Sequence, residues 1–197
     1  SSDLRKFSGS LQSATTAKDM ILEEYPDAQI TVIDSTVNTV LQGLYVLEAC
    51  RLRDMGLEYQ QIVDALLPIR ETGRIFFTIG SIDYLKHGGR IGKLAGIAAS
   101  ALKIKPVMGS TDEGAICQLD QARGMNKALV KMAQNIVDKT KDSENKILAI
   151  SHCNCRERAV LLKNALEERM PVKHIVILDT AGVSSMYAND GGVIVAV

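Results

Sequence analysis

The residues best able to do chemistry in this sequence gather in three places. The first is Tyr84-Leu85-Lys86-His87-Gly88-Gly89-Arg90-Ile91-Gly92-Lys93, where two glycines permit a sharp turn and leave Arg90 and Lys93 projecting beside His87. Cations gathered at a bend can meet an anionic ligand or an acidic partner, and they can equally form a solvated basic turn. The second is Ser8-Gly9-Ser10, at the start of a helix-patterned stretch. Free N–H groups and the positive end of a helix dipole favour an anion there, although Ser8 can also be no more than an N-cap. The third is Asp34-Ser35, at the end of a β-branched run, a position that often lines the ligand crevice of α/β proteins. Asp34 could equally cap the next helix.

Other chemistries find less support. His152 follows a predicted strand and His174 begins one, but no Ser and Asp stand at a spacing that suggests a catalytic triad. A hydrolase or transferase pairing Asp34 with His152 or His87 is kept as the enzyme alternative, and an interaction domain without ligand as the blandest reading. Neither a Gly-x-x-x-x-Gly-Lys-Ser/Thr loop nor a Gly-x-Gly-x-x-Gly turn occurs, which disfavours nucleotide binding. With 23 basic and 23 acidic residues the formal net charge is zero, so the attraction that drives phosphate-backbone binding is missing and nucleic acid is not an expected partner. Aromatic residues make up 4% with no Trp, leaving few stacking platforms. Cys50, Cys117, Cys153 and Cys155 match neither zinc-pair nor thioredoxin spacing, and are read as reduced and structural. No metal is expected. No apolar run reaches the roughly 18 residues of a membrane span. A soluble, cytoplasmic protein is the default expectation.

The elements that must position these residues alternate along the chain. Apolar or small residues at Leu11, Ala14, Ala17, Met20 and Ile21 predict a helix over 9–24, closed by Pro26. Gln29 to Asp34 predicts a strand, Thr39 to Met55 a helix with Val40, Leu44, Leu47, Cys50 and Arg51 along one side, and Tyr59 to Arg70 a second helix in hairpin with it. Arg74 to Ile79 predicts a strand that leads to Ser81, a candidate N-cap, and on to the basic turn. Behind the turn, Leu94 to Leu102 is a small-residue helical run offering a smooth apolar wall. Ile104 to Met108 is a strand whose Pro106 argues for an edge or a strand start, forming a hairpin with Ala115 to Leu119. There follow a helix over 124–139, a strand over 146–151, a helix to about Arg169, a strand over 174–179, a loop or short helical turn over 180–192 and a closing strand over 193–197. This pattern predicts an α/β fold with a mixed sheet flanked by helices.

Taken in order, the Phe7-Ser8-Gly9-Ser10-Leu11-Gln12-Ser13-Ala14 start, the Val32-Ile33-Asp34-Ser35 strand end, the Tyr84 to Ile91 turn, Leu102-Lys103-Ile104-Lys105-Pro106-Val107 with its Asp112-Glu113-Gly114-Ala115-Ile116 turn, and the closing Gly191 to Val197 resemble the DegV family. The resemblance spans nearly the whole sequence. It implies a bacterial fatty-acid-binding protein of two α/β domains, with the acyl chain buried in one and its carboxylate held between them. It also implies presentation of that carboxylate to a separate fatty acid kinase, which would make the acyl phosphate. On this basis Ser8, Gly9 and Ser10 are expected to cradle the carboxylate, with Asp34 and Ser35 beside them. Leu94, Ile97, Ala98 and Leu102 are expected in the tunnel wall, and His87, Arg90 and Lys93 on the surface offered to the kinase.

Two departures bear on this expectation. Family members usually carry a further N-terminal stretch with a strand-end Asp-Ser-Ser motif that is expected to be missing here, Ser1-Ser2-Asp3-Leu4 being a remnant either of that motif or of the Ser-Ser that usually precedes Leu-Ser-Gly-Thr. Residues 1–72 are therefore expected to be the remainder of an incomplete N-terminal α/β domain and residues 73–197 the C-terminal lipid-binding α/β domain. Many members also end in a His-Thr-Gly-Pro-Gly loop whose histidine contacts the carboxylate. Here Tyr187-Ala188-Asn189-Asp190-Gly191-Gly192 stands in its place, without a histidine. The ligand itself is the only cofactor expected, and a monomer the expected state.

Overall fold

The structure is a computed structural model that describes residues 9–35, 39–81, 104–111 and 116–197. These fall into two compact units, one formed by the described residues up to Gly73 and the other by those from Arg74 onward.

The first unit is helical. It holds α1 (Ser10–Glu24), α2 (Thr39–Asp54), α3 (Tyr59–Leu66) and the single turn α4 (Ile69–Thr72). Gly56 takes φ +85° after α2, and Leu57 N–H donates to Leu52 O at 3.2 Å, so a left-handed glycine closes the helix and turns the chain into α3. The helix expected over 59–70 is interrupted because Pro68 has no N–H to donate, and α4 restarts after it. On α2 the buried stripe is Leu41, Tyr45 and Leu52, and Leu47 of the expected face is 66% exposed. Positions 41, 45 and 52 recur at whole helical turns, so the sequence holds two competing apolar stripes and only packing chooses between them.

Residues 29–34 form no strand. Their run is rich in β-branched residues, but a strand exists only when a second strand pairs with its backbone, and none does among the described residues. Instead the segment is tied to α3, where the Tyr59 hydroxyl donates to Thr31 Oγ1 at 2.6 Å.

The second unit is a sheet with helices. Its strands are β1 (Ile75–Thr78), β2 (Ile104–Ser110), β3 (Ile116–Arg123), β4 (Ile147–His152), β5 (His174–Asp179) and β6 (Val193–Ala196). Among the described residues they form one six-stranded sheet in the order β3-β2-β1-β6-β4-β5. β4 and β5 are parallel, joined through helix α6 (Arg156–Glu167), and the other pairs are antiparallel. The β2–β3 hairpin forms as expected, with a register shift between Val107 and Met108. Pro106 is on an inner strand, not an edge, but near its start and beyond the stretch that pairs with β1, so its missing N–H breaks no bond to that strand.

Helix α5 (Met125–Lys139) lays Ala128, Leu129, Met132, Ala133 and Ile136 on the sheet, a stripe at three- and four-residue spacing. Together with Ala159, Leu162 and Leu166 of α6 these residues pack against Phe76, Val107, Leu148, Ile150, Val193 and Val195 in one core. The loop expected over 180–192 contains a short helix, α7 (Gly182–Ala188). No helix among the described residues is long and apolar enough to cross a membrane.

Candidate functional site

One border of the sheet in the second unit brings polar groups together. β1, β4 and β5 end there and β6 begins, so that Thr78, Val193, His152 and Asp179 stand in register across four strands. Into this border fits the loop Asn189–Gly192, between α7 and β6. Gly191 N–H donates to Cys153 O at 2.9 Å and Cys153 N–H donates to Gly192 O at 3.0 Å, a reciprocal pair that fixes the loop to the end of β4. The Cys155 thiol donates to the same Gly192 oxygen at 3.4 Å, and Arg158 Nη1 donates to Gly191 O at 2.8 Å. From the other side, Lys105 Nζ donates to Gly80 O.

The glycines make this fit geometrically. A Cβ at Gly80 would overlap the Asp190 carbonyl oxygen, and one at Gly191, where φ is +80°, would overlap the Arg158 guanidinium. The main chain of β1's end can therefore touch the loop only while position 80 has no side chain. Burial raises the Cys155 thiol above its ordinary range, with the nearby Arg158 charge partly opposing it, so this sulfur is a packed hydrogen-bond donor and not an activated nucleophile. His152 is 3% exposed, with its Nδ1 3.4 Å from an oxygen of Asp179, a residue whose side chain is 82% exposed. Neither ring nitrogen of His152 makes a hydrogen bond. The carboxylate near His152 is thus Asp179, whereas Asp34 belongs to the other unit.

Several residues singled out from sequence lie elsewhere. Gly9 is the N-cap of α1, with Ser10 the first helical residue and exposed. The cap thus falls on Gly9, where Ser8 was the candidate, and no side chain supplies the bond. Asp34 is half-buried and Ser35 is buried, without the strand that was expected to carry them. Ser8, His87, Arg90, Lys93, Leu94, Ile97, Ala98 and Leu102 lie outside the described residues. Among the described residues no group of three or more His, Cys, Asp or Glu could hold a metal ion. Sequence reasoning passed over Gly80 and Arg158. The signal for Arg158 was there, in two arginines placed in the first turn of a helix, where cations are electrostatically out of place.

Comparison with known proteins gives this architecture its relatives. A family model described as "Uncharacterised protein, DegV family" matches residues 5–197. A DegV domain-containing protein of Clostridium perfringens (strain 13 / Type A) is 32% identical over 170 residues, covering 86% of this chain; the chain spans 58% of that relative's length. Among solved structures, a DegV family protein from Ruminococcus gnavus ATCC 29149 with vaccenic acid superposes with a TM-score of 0.91 at 43% identity, covering 97% of this chain and 68% of that one. The Streptococcus pneumoniae Fatty Acid Kinase (Fak) B3 protein loaded with linoleic acid gives a TM-score of 0.89 at 30% identity, over 96% of this chain and 67% of that one. Sequence and backbone agree over almost the full length, and the chain belongs to the DegV family.

Proposed function

We propose that this chain binds a long-chain fatty acid in a buried apolar tunnel and presents its carboxylate to a partner fatty acid kinase. The observation that carries the reading is the likeness, over nearly the whole chain, to two structures that hold vaccenic and linoleic acid. The kinase is supported by the second of these alone, through its description as a Fatty Acid Kinase B3 protein. In this reading residues 73–197 form the lipid-binding domain and residues 1–72 the other. Ser8, Gly9, Ser10, Asp34 and Ser35 stand near the head group, Leu94, Ile97, Ala98 and Leu102 line the tunnel, and His87, Arg90 and Lys93 face the kinase. The protein is a carrier, and the phosphoryl transfer belongs to the partner.

Energetics favour a tail-driven site. Burying a methylene gains roughly 0.8 kcal/mol, so about fourteen of them supply on the order of 11 kcal/mol before entropy costs, against about 1 kcal/mol for one neutral hydrogen bond to the head. Affinity then comes from the tunnel and orientation from the head-group contacts. Native mass spectrometry of the purified chain, with gas chromatography of extracted lipid, tests this. The expected result is one long-chain fatty acid per chain, retained in an Arg90→Ala variant whose phosphorylation by a fatty acid kinase is weakened. Folded protein that neither carries nor takes up fatty acid would refute the reading, and loss of lipid on changing Arg90 would remove that residue from the partner surface.

A further inference from the structure

The sheet of the second unit ends in two edge strands that are guarded very differently. β3 carries Gln118, Asp120, Gln121 and Arg123, and its pairing with β2 is broken by a register shift, devices that keep an edge from pairing further. β5 has none of them. Between His174 and Asp179 it reads Ile175-Val176-Ile177-Leu178, and among the described residues only β4 pairs with it. An apolar edge with no charge, proline or bulge in its middle is a template for another strand. This edge lies open. His174, Leu178 and Asp179 are exposed, as are Val160 and Leu161 of α6, which packs on β4 and β5, and Val183 and Met186 of α7, which follows β5.

The charges at the ends of β5 select the strand that fits. Lys173 still follows β4, its N–H donating to Lys146 O at 3.0 Å, and it is exposed and in no ion pair among the described residues. Asp179 closes the strand with an exposed side chain, 3.4 Å from Nδ1 of the buried His152. A twofold axis normal to the sheet reverses the strand and keeps its faces, so two residues opposite each other must lie an even number of positions apart. Centred on Val176, such an axis sets Lys173 opposite Asp179, His174 opposite Leu178 and Ile175 opposite Ile177. Centred on Ile177 it would set Asp179 against Ile175, and centred on Ile175 it would set Lys173 against Ile177, each leaving a charge against an apolar side chain. The Val176 axis alone among these matches both ends, and symmetry makes the match twice.

We propose that β5 pairs antiparallel with β5 of a second copy of this chain about a twofold axis at Val176, with Lys173 of each copy opposite Asp179 of the other. The two sheets then run on as one, and the α6 helices of both copies lie on the same face of it. Growth stops at two copies, because the edge each copy has left is the guarded β3. The pairing is independent of the fatty-acid reading.

Sedimentation velocity over a concentration series tests this, and a monomer–dimer equilibrium is expected. Lys173→Asp and Asp179→Lys, each alone, set like charges opposite each other at both symmetric contacts and should weaken association about tenfold, whereas the double exchange should restore it to within about twofold. Circular dichroism checks that these exposed substitutions leave the fold intact. Hydrogen exchange of the unaltered chain needs no variant: the amides of 174–179 should gain protection as concentration rises. A chain that is monomeric at every concentration would leave the edge to a strand of another protein and overturn the proposal. So would a dimer indifferent to either single change, a double variant as weak as the singles, or β5 amides whose protection does not change with concentration.

Discussion

The two units of this chain have similar fractions of apolar residues and use them to different effect. In the unit from Arg74 onward, α5 alone buries five residues on the sheet, and thirteen hydrophobic residues there have no exposure, Met132, Ile136, Leu148 and Val195 among them. In the unit up to Gly73, α1 buries none of its fifteen residues, and the buried hydrophobics are Leu41, Tyr45, Leu52 and Leu66. Met20, Val46 and Leu47 there are each more than 60% exposed. Amphipathic helices need a second layer to bury against. The sheet supplies one, and the described residues of the helical unit supply no strand ladder at all. Stability in this molecule should therefore reside in the sheet unit, while the helical unit tolerates change.

The sharpest way to break that contrast is to make the same substitution in both units. Leu148→Ala removes a side chain with no exposure from the centre of the core and should cost about 2–5 kcal/mol. Leu47→Ala removes one that is 66% exposed from a helix surface and should stay within about 0.5 kcal/mol. Denaturant titration of both variants, followed by circular dichroism, gives the comparison. A Leu47 variant as damaging as the Leu148 one would mean that the helical unit hides a core of its own.

Glycine substitutions sharpen the same contrast with a smaller effect. Gly80 sits against the Asp190 main chain, so Gly80→Ala must displace backbone and should cost about 1–3 kcal/mol, moving the Asn189–Gly192 loop as it does so. Gly43 lies inside α2 with nothing within 4 Å of where a Cβ would stand, so Gly43→Ala should stabilise by roughly 0.5–1 kcal/mol. Thermal melting should move in opposite directions for the two, and a rise for Gly80→Ala would show that the loop contact is looser than its geometry.

These contrasts also explain how far the sequence could be read. Local signals were enough for the hairpin of β2 and β3, for α5 and its stripe, for α6, and for β5, which falls at His174–Asp179 as its β-branched pattern predicts. Reading failed where the outcome depends on a neighbour. Ile30 to Ile33 has the composition of a strand, but composition cannot provide a ladder partner. On α2, Leu44 and Leu47 were as good a face as Leu41 and Tyr45 until packing chose. The loop clamp was hidden for the same reason: Gly80, the stretch from Cys153 to Arg158, and Gly191 are far apart in sequence and meet only once the sheet is assembled. The family resemblance supplied what local physics could not, while the residues it singled out most strongly, around Gly88-Gly89-Arg90, lie outside the described residues.

The smallest expected effect concerns ion pairs, and it contrasts a pair that joins two elements with pairs that lie within one helix. Glu48 pairs with Arg51 and Arg53 with its neighbour Asp54 within α2, and Lys163 pairs with Glu167 within α6. In the sheet unit Lys131 of α5 meets Asp120 of β3 at 2.7 Å, joining two elements across 11 residues of sequence. The Lys131 hydrogen bond, followed by the Gln121 N–H, holds the Asp120 carboxyl below its ordinary range. A carboxyl depressed in the folded state stabilises it fully above its unfolded pKa of about 3.9, and that contribution is lost as pH falls through the lower folded value. The pair is a third or more exposed and screened by water, so Asp120→Asn should cost only about 0.3–0.5 kcal/mol at neutral pH, with the difference from the unaltered chain shrinking as pH falls below the ordinary carboxylate range. Glu48→Gln should disturb stability less than Asp120→Asn, because its ion pair with the exposed Arg51 lies within one helix. Urea titrations of the three proteins at pH 7 and pH 3 measure this. A pH-independent loss in the Asp120 variant would mean that its carboxylate packs β3 against α5 without the charge, and the contrast between cross-element and local pairs would fail.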